Sequence, residues 1–169
     1  MMPLINRDNT CCFTGHRPSK LPWRYDESDI RCEKLKQKIS DTVEAVYFSG
    51  IRHFICGMAQ GCDIYFCEAV IMLRDEHPDI TIEAALPCEE QSKFWEERER
   101  NRYFRLVSLC DHETLVSRQY TNDCMKKRNK YMVDNSSVLI AVFDGTLGGT
   151  MQTIGYAAKC GLEVIELKP

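Results

Sequence analysis

Short apolar runs alternate along the chain with longer stretches in which apolar positions recur every three or four residues, the pattern of repeated βα units around a largely parallel sheet. The first run, Thr10 to Thr14, is rich in β-formers. Behind it Ile30, Leu35, Ile39, Val43, Val46 and Tyr47 fall at helical spacing, with Ser28 or Asp29 as N-cap and Gly50 as the stop. His53 to Cys56 predicts a second strand. Gly61 to His77 predicts a helix that turns Ile64, Cys67, Val70 and Ile71 inward until Pro78 forbids continuation. Ile80 to Leu86 predicts a third strand, ended by Pro87.

From Glu89 to Leu109 a longer helix is predicted, polar on one side, with Phe94, Trp95, Tyr103, Leu106 and Val107 facing a core. A short strand at Glu113 to Val116 and a helix near Asp123 to Val133 follow. In Ser137 to Phe143 six of seven residues are apolar without alternation, which predicts a strand buried on both faces at the centre of the sheet. Gly149 to Cys160 reads as a last helix stopped by Gly161, and Leu162 to Leu167 as a strand suited to a sheet edge. The fold class is therefore α/β, a mostly parallel sheet of about six strands flanked by helices.

Composition narrows this to one ordinary domain over residues 1–169. With 44% apolar and 28% charged residues, collagen, disorder and solenoid arrays are excluded. The 22 Lys plus Arg against 25 Asp plus Glu give a net charge of −3, which argues against a protein whose whole surface coats nucleic acid. Ten cysteines would suggest a disulfide framework, but Met1 to Thr10 has no apolar stretch of the kind that directs export. The expectation is a soluble cytoplasmic protein with reduced thiols that serve as small buried hydrophobes. No two cysteines stand in a C-x-x-C pair, so zinc-ribbon and thioredoxin chemistry lose their main support and no metal site is predicted. No apolar run approaches the ~18 residues of a membrane helix.

In an open parallel sheet ligands sit beyond the carboxyl ends of the strands. Three loops there are unusual. In Phe13-Thr14-Gly15-His16-Arg17-Pro18 a glycine leaves the strand, then two side chains able to bind phosphate precede a proline that holds Arg17 extended. In Cys56 to Asp63 two glycines, Gly57 and Gly61, frame the entrance to a helix. Asp144-Gly145-Thr146-Leu147-Gly148-Gly149-Thr150 again joins a strand to a helix. Glycine lets backbone amides approach a phosphate closely, and a helix start supplies unpaired N–H donors with about half a positive charge. Neither glycine loop matches G-x-G-x-x-G or the P-loop, and no G-x-S-x-G elbow appears, so kinase, ATPase and ordinary serine-hydrolase chemistry are unsupported.

Taken in order, Cys12-Phe13-Thr14-Gly15-His16-Arg17-Pro18, Gly57-Met58-Ala59-Gln60-Gly61-Cys62-Asp63 and Gly148-Gly149-Thr150 resemble the YpsA-like branch of the SLOG superfamily. That superfamily unites the DNA-processing protein DprA (Smf) and the Lonely Guy phosphoribohydrolases. Leu86-Pro87, Gln91, Trp95, the stretch from Arg128-Asn129 to Met132-Val133-Asp134, and Ile140 to Gly145 are similar to the same branch. The resemblance implies a Rossmann-like three-layer sandwich that binds a nucleotide or nucleotide derivative. It implies that Gly15, His16 and Arg17 line the pocket from the first strand, Gly57, Gly61 and Asp63 from the second, and Asp144 and Gly145 from the Val138 strand. Gly148, Gly149 and Thr150 would hold phosphate. Asp63 either accepts from ribose hydroxyls or simply favours a helix N-terminus. Gln91 and Trp95, one helical turn apart, read either as a polar and stacking wall or as a buried Trp beside a surface Gln. Arg128, in Lys126-Lys127-Arg128-Asn129-Lys130, belongs to a solvated helix face or is a second anion contact.

Three functions compete. The preferred one is a nucleotide-binding sensor or adaptor without catalysis; the first alternative is a Lonely Guy-type hydrolase of nucleoside monophosphates, and the second a DprA-like DNA-processing accessory. Lonely Guy enzymes carry P-G-G-x-G-T-x-x-E, and aligning Gly149-Thr150 with its Gly-Thr puts neutral Thr153 in the glutamate's place. No catalytic residue is therefore predicted. No cofactor is required, the expected partner is a phosphate-bearing, nucleotide-like small molecule, neither membrane nor nucleic acid is expected, and homo-oligomer formation stays open.

Overall fold

The structure, a computed structural model, describes residues 4–169, so the first three residues of the Met1 to Thr10 stretch lie outside it. Six strands form one sheet: β1 (Thr10–Thr14), β2 (His53–Cys56), β3 (Thr81–Leu86), β4 (His112–Leu115), β5 (Val138–Val142) and β6 (Glu163–Leu167). Their order is β4-β3-β2-β1-β5-β6, and every neighbouring pair is parallel. The chain winds outward from β1 to β4, then returns to place β5 on the other side of β1. The helices are α1 (Ile30–Phe48), α2 (Cys62–Glu76), α3 (Glu97–Leu109), α4 (Cys124–Asp134) and α5 (Gly149–Lys159).

Strand alternation builds a core on each face. Cys11 and Phe13 point to the side covered by α1, α2 and α3, where Phe13 stacks on Phe66 with ring centroids 4.6 Å apart. Cys12, Ile55, Leu139 and Ala141 point to the other side and meet Met132 and Val133 of α4 and Ala157 of α5. Helix, sheet and helix thus make the three layers of a Rossmann-like sandwich. Eight of the ten cysteines are buried, with Cys110 and Cys160 partly exposed. Among the described residues no helix is long and apolar enough to cross a membrane.

The hydrophobic pattern misplaces three features. The helix expected from Glu89 starts only at Glu97; the preceding residues form turns, with Lys93 N–H on the Glu90 carbonyl and Trp95 N–H on that of Ser92. That segment is tied to other loops, through Glu89 N–H to the Arg118 carbonyl and Gln91 Nε2 to the Gly57 carbonyl at 3.3 Å, which a continuous helix would forgo. Phe94, assigned to the core, is consequently 92% exposed. Ile30, the first residue of α1, also faces solvent because Asp29 caps the helix there, accepting from the Arg31 N–H at 2.8 Å. β5 is buried throughout but lies one strand in from the edge, since β6 flanks it; the middle of the sheet is β2 and β1.

Candidate functional site

The strand order reverses between β1 and β5, and the crevice at their carboxyl ends is where such sheets accept ligands. A cavity of about 200 Å³ opens there. Residues Phe13 to Arg17 leave β1 into it, Ala59 and Asp63 enter from the β2–α2 connection, Arg128 and Asn129 from α4, and Gly149 and Thr150 from the start of α5.

Glycines join these loops to one another. A Cβ on Gly15 would fall 2.6 Å from the Cβ of Cys62, and one on Gly61 2.8 Å from the His16 carbonyl, which accepts the Cys62 N–H at 3.2 Å. Gly61, at φ +87°, is the residue that lets α2 begin directly beneath the β1 loop. Gly57 has a different task. A Cβ there would sit 2.6 Å from Arg128 Nη1 and 3.0 Å from Asp63 Oδ2, so glycine leaves the space in which a buried cation and a buried carboxylate face each other.

Arg128 is 4% exposed, so it points inward and not to the solvated face of α4. Its guanidinium donates to the Gly57 carbonyl and, through Nε, to Asn129 Oδ1 at 2.8 Å. Burial lowers its pKa, an effect that Asp63 offsets only in part. Burial likewise raises the Asp63 carboxyl, while Arg128, the Ala59 N–H at 3.1 Å and Arg17 pull it back. Arg17 is exposed at the cavity mouth, and its guanidinium makes no hydrogen bond or ion pair among the described residues.

The β5 loop is held by His16. Its Nε2 lies 2.8 Å from Asp144 Oδ1, which also accepts from the N–H and hydroxyl of Thr146 at 2.9 and 2.6 Å. Thr146 and His16 together keep the Asp144 carboxyl down at about 2. Asp144 thus anchors the loop and does not line the cavity. Gly145 and Gly148 lie outside it too, and Lys20 Nζ covers Gly148 closely enough that a Cβ there would meet it at 2.6 Å.

Lys20 is a cation the loop motifs did not reveal. It ends a short 3-10 turn, Pro18–Lys20, and donates to the Leu147 carbonyl at 2.9 Å, joining the β1 and β5 loops at the cavity wall. The available signal was its position three residues after Arg17, one turn on. Gln91 and Trp95 stand beside the main cavity, around a recess of about 40 Å³ that shares Arg17, Ala59 and Met125 with it. The cavity therefore gathers Arg17, Lys20 and Arg128 against one carboxylate, Asp63. The α5 start adds to this: no side chain caps it and its first turn is free of acidic residues.

A doubly wound parallel sheet with a cation-lined crevice at its switch point defines an α/β protein of the Rossmann-like type. More narrowly, the chain belongs to the YpsA family, described as the YspA SLOG family, which matches residues 11–160. It is similar to the uncharacterized SPbeta prophage-derived protein YoqJ of Bacillus subtilis (strain 168), at 32% identity over 139 residues, 75% of this chain and 81% of that protein. A UPF0398 protein of Bacillus thuringiensis (strain Al Hakam) is 28% identical over 151 residues, 86% of this chain and 80% of its own. Among solved structures, DNA processing protein A (DprA) from Streptococcus pneumoniae superposes with a TM-score of 0.63 at 12% identity, over 93% of this chain and 49% of that one. This chain thus spans about half the length of DprA. TM1055 superposes with a TM-score of 0.55 at 14% identity, over 92% of this chain and 72% of that one. These two likenesses concern the fold.

Proposed function

We propose that this protein is a non-catalytic module that binds a nucleotide or nucleotide derivative, with the ligand's phosphate in the cavity at the β1/β5 switch point. The observation that carries this reading is the convergence of the buried Arg128, the free Arg17 and the uncapped start of α5 on one small space. Burying an arginine is costly without a charged partner. Asp63 supplies one negative charge; Arg17, Lys20 and the helix start leave a positive surplus that an anion neutralises. The Thr150 hydroxyl and the amides of α5 complete a phosphate cradle.

Arg17→Ala tests the placement. It removes one charge-assisted contact at an exposed position and leaves the core intact. Loss of about 1.5–3 kcal/mol corresponds to roughly ten- to a hundredfold weaker binding of ribose 5-phosphate in calorimetry. Unchanged affinity would put the phosphate elsewhere.

The non-catalytic part rests on the acids available. Thr153 is buried, its hydroxyl donating to the Gly149 carbonyl at 2.9 Å. Asp144 is occupied by His16 and Thr146, and Glu68 pairs with Arg102 away from the cavity. Among the described residues Asp63 is the one acid that lines the space, and it faces Arg128. Incubation with nucleoside monophosphates is therefore expected to release no free base by chromatography; turnover above about 1 s⁻¹ that disappears in Asp63→Asn would make the protein a hydrolase.

A further inference from the structure

A larger space adjoins the cavity. Between α4 and α5 lies a groove of about 500 Å³ walled by Asp123, Met125, Gln152, Thr153 and Tyr156. Met125, Asn129 and Gly149 line cavity and groove alike, so the two are adjacent and share a wall. Gly149 stands at the junction, where a Cβ would meet no atom within 4 Å. The opening has room.

Size separates this groove from the recess beside Trp95. That recess, about 40 Å³, holds water and not a planar heterocycle, and Trp95 is already engaged edge-on with Tyr103 at 5.2 Å and 77°. In the groove Tyr156 is fixed before any ligand arrives. Its hydroxyl donates to Asp134 Oδ1 at 2.5 Å and the Lys130 ammonium stands 5.5 Å from its ring centre. A ring held in this way loses less rotamer freedom on stacking than a free one. Met125 offers a polarizable apolar surface next to it, and Asp123 and Gln152 supply an acceptor and an amide for the edge of a base.

We infer that the ligand is a nucleoside 5′-phosphate whose base lies in the α4–α5 groove against Tyr156 and Met125, an assignment that rests on the phosphate site proposed above. The distance between the two ends is set by Gly149, which the sugar passes. Specificity among bases then belongs to Asp123 and Gln152, outside the loops that hold the phosphate.

Calorimetry with ribose 5-phosphate and with AMP, GMP, CMP and UMP tests this. At least one monophosphate is expected to bind tenfold or more tightly than ribose 5-phosphate, the gain typical of one stacked base. Gln152→Trp, at an exposed helix position, intrudes on the groove, and Tyr156→Leu keeps an apolar side chain without the ring. Both are expected to remove the gain and leave ribose 5-phosphate affinity unchanged. Monophosphates that bind no more tightly than ribose 5-phosphate, or a gain that survives both variants, overturn the base site while the phosphate site stands. If neither ribose 5-phosphate nor any monophosphate binds, the phosphate reading falls and the base site with it.

Discussion

Arg128→Met is expected to lower stability by about 3–5 kcal/mol and to abolish phosphate binding in the same step. Methionine keeps most of the apolar stem, so the loss comes from charge and hydrogen bonds and not from a cavity. Without the guanidinium, Asp63 stays buried at 5% exposure with only the Ala59 N–H and the weaker pull of Arg17 to favour its charge, and the Gly57 carbonyl and Asn129 Oδ1 lose their donor. Asp63→Asn in the same background removes the uncompensated charge, so the double variant should recover part of the loss; the cycle of single and double variants measures the coupling. Urea denaturation followed by circular dichroism is the measurement. A loss below about 1 kcal/mol would mean that the guanidinium is effectively solvated, and the argument for an anion site built around it would fail.

Much of the fold is legible in the sequence because it depends on local chemistry. β1 and β2 are found to the residue, since both are short apolar runs between breakers, and α2 stops where Pro78 requires. The turns before α3 were illegible. They exist because Gln91 and Glu89 bond to residues 34 and 29 positions away in the chain, Gly57 and Arg118, and no periodicity reports such contacts.

The candidate site divides in the same way. The glycines announce crowded or left-handed backbone, and the structure does crowd Gly15, Gly57 and Gly61, but against the chain's own atoms: Cys62, Arg128 and the His16 carbonyl. Their signal is that loops meet closely; what they meet is decided by topology. Arg128 shows the converse. Within a run of four cations and an asparagine it looks solvated, and only the rotation of α4 against the sheet turns that one residue of the run inward.

Glu83→Gln is expected to cost about 2–3 kcal/mol at neutral pH, with a cost that shrinks as the pH falls from 4.5 to about 2. A glutamate amid the apolar residues of β3 is the one trace of this network in the sequence. The side chain is 7% exposed; Oε1 accepts from the hydroxyls of Thr114 and Tyr131 at 2.6 and 2.5 Å, and Oε2 lies 2.8 Å from His53 Nε2. Burial alone would raise the carboxyl, but His53, Thr114 and Tyr131 outweigh it and hold the group at about 2, against the ordinary 4.5. The folded state therefore prefers the ionised form more strongly than the unfolded chain does. That preference is fully present above pH 4.5 and is lost as the pH falls through 2. An uncharged amide has no such dependence, and its NH₂ cannot accept where one of these donors points. Wild type and variant should therefore converge in acid, while Glu27 and Asp144, also held at about 2, continue to destabilise both. Because Tyr131 belongs to α4, this network fastens to the sheet the helix that carries Met125, Arg128 and Asn129 into the cavity. Denaturation at pH 7, 5, 4 and 3 gives the test. A gap that stays constant across those values would show that Glu83 carries no charge-dependent stability and that α4 is seated by its apolar contacts alone.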